Sequence, residues 1–125
     1  MRVSMELLQI YRFSLVGAIA TIVHITVVMG VELHGKMSTL AVHFLGYLAA
    51  FSISFAGHYL YTFKSSRQWR RALLVFLTVS LALLALSSVV LKLCAAAGLT
   101  PMTSLLIAAV SIPILSYVLN KKLVF

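Results

Sequence analysis

The chain has 125 residues, 62% hydrophobic and 10% charged, with a mean hydropathy of +1.11. A soluble domain of this length has too little interior to hide that much apolar surface, whereas a bilayer accommodates it. The formal charge of +8 does not point to nucleic acid, because the cations sit at the ends of apolar runs and form no soluble basic face.

The chain is therefore read as an integral membrane protein. Its single cysteine, Cys94, excludes an internal disulfide and any multi-cysteine metal site, and no cofactor or metal is expected. The first apolar segment is too long for a signal-peptide core and is read as a retained span. Residues 1–12, with Arg2, Glu6, Gln9 and Arg12 among apolar neighbours, read as a short interfacial helical start. Span one runs from about Phe13 to Val31, long enough at roughly 1.5 Å per residue to cross a hydrocarbon core near 30 Å. Glu32, His34, Gly35 and Lys36 form a polar loop. Span two runs from about Thr39 to Tyr61, span three from about Ala72 to Leu93, and span four from about Met102 to Leu119. Gly98, Thr100 and Pro101 mark the last turn, and Pro113 is expected to kink span four.

Span two closes in an aromatic belt, followed by a basic hub at residues 64–71 with Lys64, Arg67, Arg70 and Arg71. The end of the chain repeats that closure at a spacing of 62 residues: Ser54 matches Ser116, Phe55 matches Tyr117, His58 matches Asn120, and Phe63 matches Phe125. The chain thus reads as one domain over 1–125, with repeat one over about 12–63 and repeat two over about 72–125. Eight cations (Arg2, Arg12, Lys64, Arg67, Arg70, Arg71, Lys121 and Lys122) fall on one side, against Lys36 and Lys92 on the other. The positive-inside rule places the hub and both termini in the cytoplasm. The expected fold is all-α, with four transmembrane helices as two parallel-repeat helical hairpins.

Helical spacing collects small and polar residues into stripes. These are Ser14, Gly17, Thr21 and His24 in span one, and His43, Gly46, Ala50, Ser54 and His58 in span two. Span three offers Thr78, Ala82, Ala85, Ser88 and Lys92, and span four Ala109, Pro113, Ser116 and Asn120. Such stripes are either packing seams or the lining of a polar path. His24, about 18 Å along the helix from Arg12, lies near mid-membrane. It is either a neutral imidazole bonded to Thr21 or another helix, or a path-lining group.

The only acids, Glu6 and Glu32, lie near span ends. Hydrolysis by paired carboxylates is excluded, and no phosphate-cradling glycine loop or serine relay is present, so an enzyme is not expected.

The pattern Arg12-Phe13, Gly17, Thr21, then Ser54-Phe55…Tyr61-Thr62-Phe63, then Tyr117…Asn120-Lys121…Val124-Phe125 resembles the GtrA-like family across essentially the whole chain. His58 stands where that family usually has asparagine, and Tyr59 where a cation is common. The resemblance implies a flippase that moves undecaprenyl-phosphate-linked monosaccharides, typically glucose, across the bacterial inner membrane for lipopolysaccharide or other envelope-glycan modification. Under it, Arg12, Lys64, Arg70, Arg71, Asn120, Lys121 and Lys122 would bind the phosphate. Ser14, Thr21, His24, His43, Ser54 and His58 would form a polar seam for the sugar. The expected partners are the polyprenyl-phosphate-linked sugar, membrane lipids and a second copy of the chain in the same orientation. The alternative is a non-transporting anchor or stabilising subunit of a polyprenyl-phosphate glycosyltransferase.

Overall fold

A computed structural model describes residues 1–35 and 37–125. Lys36, expected on the outer side, lies outside the described residues. The elements are α1 (Arg2–Glu32), α2 (Thr39–Gly57), a π-helical turn (His58–Thr62), α3 (Trp69–Ala96), α4 (Pro101–Leu119) and a second π-helical turn (Asn120–Val124). No strand occurs among the described residues. The protein is an all-α chain with four helices long and apolar enough to cross a membrane.

The chain divides into two compact units, Met1–Ser65 and Ser66–Phe125, each a helical hairpin. In hairpin one, α1 is continuous over 31 residues, about 46 Å at 1.5 Å per residue. The helical start expected at residues 1–12 is continuous with the span, because residues 2–16 contain no glycine or proline to break it. In hairpin two, Arg70 and Arg71 lie in the first turn of α3, so the basic hub is partly helix. The helix of α4 continues through Pro113.

Each hairpin turns by the same local chemistry. A left-handed glycine follows the first helix, Gly35 at φ +60° and Gly98 at φ +78°, where a side chain would be strained. A hydroxyl then caps the second helix. Ser38 accepts from the Ala41 amide at 3.4 Å, and Thr100 accepts from the Thr103 amide at 3.2 Å. Pro101 occupies the first position of α4, where a missing N–H costs nothing.

Packing within each hairpin follows a second correspondence. Val16 and Ala20 of α1 are buried, as are Val79 and Leu83 of α3, and these pairs stand 63 residues apart. Val42 and Gly46 of α2 correspond at 62 to Ser104 and Ala108 of α4, all buried. The offset changes by one residue between the glycine and the cap, so the two hairpins differ by one residue in their turns. Without a hydrophobic drive between helices in lipid, close approach depends on small residues and dispersion. A Cβ on Gly46 would stand 2.9 Å from Val28 Cγ2 and 3.2 Å from the His24 carbonyl oxygen. Hairpin one is therefore tighter at this level than a side chain permits.

This asymmetry gives a stability prediction. Gly46→Leu should cost about 1–3 kcal/mol through overpacking against the α1 backbone. At the matched position, Ala108→Gly should cost only about 1 kcal/mol, from helix propensity. Thermal unfolding of the detergent-solubilised protein measures both, and equal losses would contradict the difference in packing.

Candidate functional site

The second helix of each hairpin ends in a wider turn that closes on itself. In hairpin one the Phe63 amide donates to the His58 carbonyl at 2.9 Å, an i to i+5 bond. The Ser65 amide donates to the Tyr59 carbonyl at 2.9 Å. In hairpin two the Phe125 amide donates to the Asn120 carbonyl at 3.0 Å, 62 residues on. Such single π-turns leave carbonyls that a normal last turn would not, and they concentrate at functional sites.

Each turn begins on a buried polar residue. His58 is 3% exposed, and its ring stacks on Phe13 of α1 at 4.4 Å between centroids. Its Nδ1 lies 3.1 Å from Thr62 Oγ1, one turn further on and itself buried. Val16 fills the space beside Gly57, where a Cβ would meet its methyls at 2.7 and 3.0 Å. Asn120 is 2% exposed, and its Nδ2 donates to the Ser116 carbonyl at 2.8 Å and to Ser116 Oγ at 3.1 Å. Its Oδ1 is buried without a hydrogen-bond partner. Phe76 of α3 packs on Phe125 at 6.0 Å.

An arginine reaches the same carbonyl position in each foot. Arg12 Nη1 donates to the Tyr61 carbonyl at 3.5 Å, with its guanidinium 5.0 Å from the Tyr61 ring centroid. Arg67 Nη1 donates to the Leu123 carbonyl at 2.6 Å and more weakly to that of Val124 at 3.4 Å. Tyr61 and Leu123 are 62 residues apart, but Arg12 and Arg67 are not equivalent in sequence. One arrives on the first helix of its hairpin and the other from the segment before it.

Hairpin one also has a groove at its foot, of about 340 Å³. Gln9, Arg12 and Lys64 supply polar groups to its lining, and Met5, Leu8 and Phe63 supply apolar ones. Arg12 is half-buried, and its Nε is buried without a hydrogen-bond partner. Lys64 has φ +47°, the left-handed region that a helix C-terminus usually gives to glycine.

The residues expected at the phosphate thus fall in several places. Arg12 and Lys64 come together in the groove. Arg70 and Arg71 are exposed in the first turn of α3, and Arg70 lies 5.5 Å from the Trp69 ring centroid. Lys121 and Lys122 are exposed, and Lys121 Nζ approaches the Tyr117 hydroxyl at 3.5 Å. Asn120 is an internal brace of its foot.

Of the expected seam, His24 and His43 are neighbours, with ring centroids 6.1 Å apart, toward the loop end of hairpin one, where His43 is exposed. Ser54 is half-buried and His58 buried in the foot. Ser14 and Thr21 are exposed, off the face of α1 that carries Val16 and Ala20, and Thr21 Oγ1 donates to the Gly17 carbonyl at 2.9 Å. Among the described residues, no three His, Cys, Asp or Glu side chains form a group that would hold a metal ion. In the sequence Phe13 and Thr62 stand only as part of the family pattern, and nothing there gives them their contacts with His58 or gives Arg67 its bracing role.

The transmembrane-domain family described as GtrA/DPMS matches residues 12–125. The chain belongs to that family. The match starts at Arg12 and ends at Phe125, so it spans both feet. No curated protein and no solved structure matches the chain significantly.

The internal repeat makes the feet testable by exchange. Thr62→Val should cost about 1–2 kcal/mol by leaving a buried imidazole nitrogen without its hydroxyl. Adding His58→Asn should recover much of that, because Ser54 stands where Ser116 serves Asn120 and position 124 is already valine. Chemical unfolding of the single and double variants checks this. A double variant less stable than Thr62→Val alone would show that the feet are not interchangeable.

Proposed function

We propose that this GtrA/DPMS-family protein carries polyprenyl-phosphate-linked monosaccharides, glucose or a related hexose, across the bacterial inner membrane. The sugar enters from the cytoplasmic leaflet and emerges in the periplasmic one, where it serves modification of lipopolysaccharide or another envelope glycan. The observation that carries this reading is the family match over residues 12–125.

The chemistry of the chain supports it. The substrate combines an anionic phosphate, a polar sugar and a long apolar tail, so a carrier needs cations at one surface, polar groups between helices and a lipid-open side. Arg12, Lys64, Arg70, Arg71, Lys121 and Lys122 supply cations at span ends. His24 and His43 supply neighbouring polar groups toward the loop end of hairpin one. Arg70 and Arg71 stand in the first turn of a helix, where cations oppose the helix dipole by about 0.3–1 kcal/mol. Anionic headgroups offset that cost and suit the same placement. In this account both termini face the cytoplasm, following the cation excess. Two chains of the same orientation assemble to enclose the path, a twofold dimer being the commonest closed assembly.

A second reading, a non-transporting anchor for a polyprenyl-phosphate glycosyltransferase, is favoured by one observation. Ser14 and Thr21 lie exposed instead of in the interior of their hairpin. A reconstituted leaflet assay separates the two. Purified protein alone, in liposomes loaded in one leaflet with a short-chain polyprenyl-phosphate glucose, should equilibrate the sugar between leaflets. Transfer no faster than in protein-free liposomes would favour the anchor.

A further inference from the structure

The two feet share a fold but use their arginines differently. Arg67 spends its guanidinium on the chain, with a 2.6 Å bond to the Leu123 carbonyl. Arg12 does not. Its bond to Tyr61 is 3.5 Å long, and its buried Nε has no partner. Arg12 also lines the groove, and Lys64 closes the groove in a left-handed backbone conformation. A non-glycine residue there costs about 1–3 kcal/mol, and such strain concentrates where a side chain is needed for function. Glycine would close the same turn at lower cost. The chain keeps a cation instead.

The groove has two chemistries along one helix face. Met5, Leu8 and Arg12 lie at helical spacings of three and four. The apolar wall therefore runs directly into the cationic end. An inorganic anion would use only the cations. A phosphate attached to an apolar stem would use both, and the groove lies at the end of apolar spans where lipid headgroups sit.

We propose that this groove in hairpin one is the site that holds the phosphate of a membrane lipid. The guanidinium Nη groups of Arg12 donate to the phosphate oxygens, Lys64 Nζ supplies the second charge, and Met5, Leu8 and Phe63 cover the first carbons of the lipid stem. Arg67 braces hairpin two and takes no part in binding. This assignment rests on the sugar-lipid reading for the identity of the lipid, but not for the existence of the site.

The test is a binding measurement on the purified full chain in neutral detergent, with a fluorescent short-chain polyprenyl phosphate as probe. Inorganic phosphate and phosphatidylglycerol serve as competitors. Lys64→Gly keeps the left-handed turn while removing the charge, so its folding is protected, and Arg12→Gln removes the fork. Each should weaken probe binding at least about tenfold, the loss of one charge-assisted hydrogen bond. Lys64→Arg should retain binding, and so should Arg2→Gln, which removes a cation of α1 outside the groove; the Arg70→Gln, Arg71→Gln double variant is measured beside them. Inorganic phosphate should compete far more weakly than either lipid. Wild-type affinity in Lys64→Gly overturns the groove, as does inorganic phosphate competing on equal terms with lipid. Loss of binding only in the Arg70, Arg71 variant also overturns it, while leaving the sugar-lipid reading intact. Equal competition by phosphatidylglycerol, with binding lost in Lys64→Gly, upholds the groove and counts against the sugar-lipid reading.

Discussion

A polypeptide leaving a helix at the edge of a bilayer carries carbonyls that no longer have an intrahelical partner, and hydrocarbon offers none. Everything specific about this chain follows from how it meets that demand at the feet of its hairpins. Each second helix widens for one turn, so that the amide of Phe63 or Phe125 reaches back five residues. An arginine then comes to the carbonyl of residue 61 or 123. The aromatic residues that ring each turn keep it dry enough for those bonds to matter.

One solution is built twice from different side chains. In hairpin one a histidine stacks under a phenylalanine and bonds to a threonine; in hairpin two an asparagine bonds back to a serine and a valine fills the threonine's place. Arginines from unrelated sequence positions serve equivalent carbonyls. The arginines also differ in how closely they hold their carbonyls, Arg67 at 2.6 Å and Arg12 at 3.5 Å; under the proposed assignment the looser one is the one that meets a ligand.

Much of this was legible in the sequence. The apolar runs mark the four helices, and the correspondence of Ser54, His58 and Phe63 with Ser116, Asn120 and Phe125 marks the matching feet. The π-turns were not legible, because an i to i+5 bond has no residue signature of its own. The correspondence of the first helices escaped notice because it runs at 63, displaced by one residue in the turn. The stripes of small polar residues have a local explanation as well: Thr78 and Ser88 on span three are exposed in the single chain and donate to their own helix at Leu74 and Leu84. A hydroxyl in a helix satisfies itself on the carbonyl four residues back and needs no neighbour, so its presence does not mark a contact. Thr21 does the same on the Gly17 carbonyl. Arg67 looked like one hub cation among four, and only the carbonyls beneath it reveal its task.

The account places a lipid phosphate against the foot of hairpin one, over the face of α1 that carries Met5, Leu8 and Arg12. Its most direct test is photo-crosslinking with a polyprenyl phosphate bearing a diazirine on its first isoprene unit, followed by peptide mapping. The account predicts label concentrated on Met5, Leu8 and Phe63, displaced by unlabelled polyprenyl phosphate. Label spread evenly over the exposed apolar faces, or gathered on residues 66–125, would contradict it.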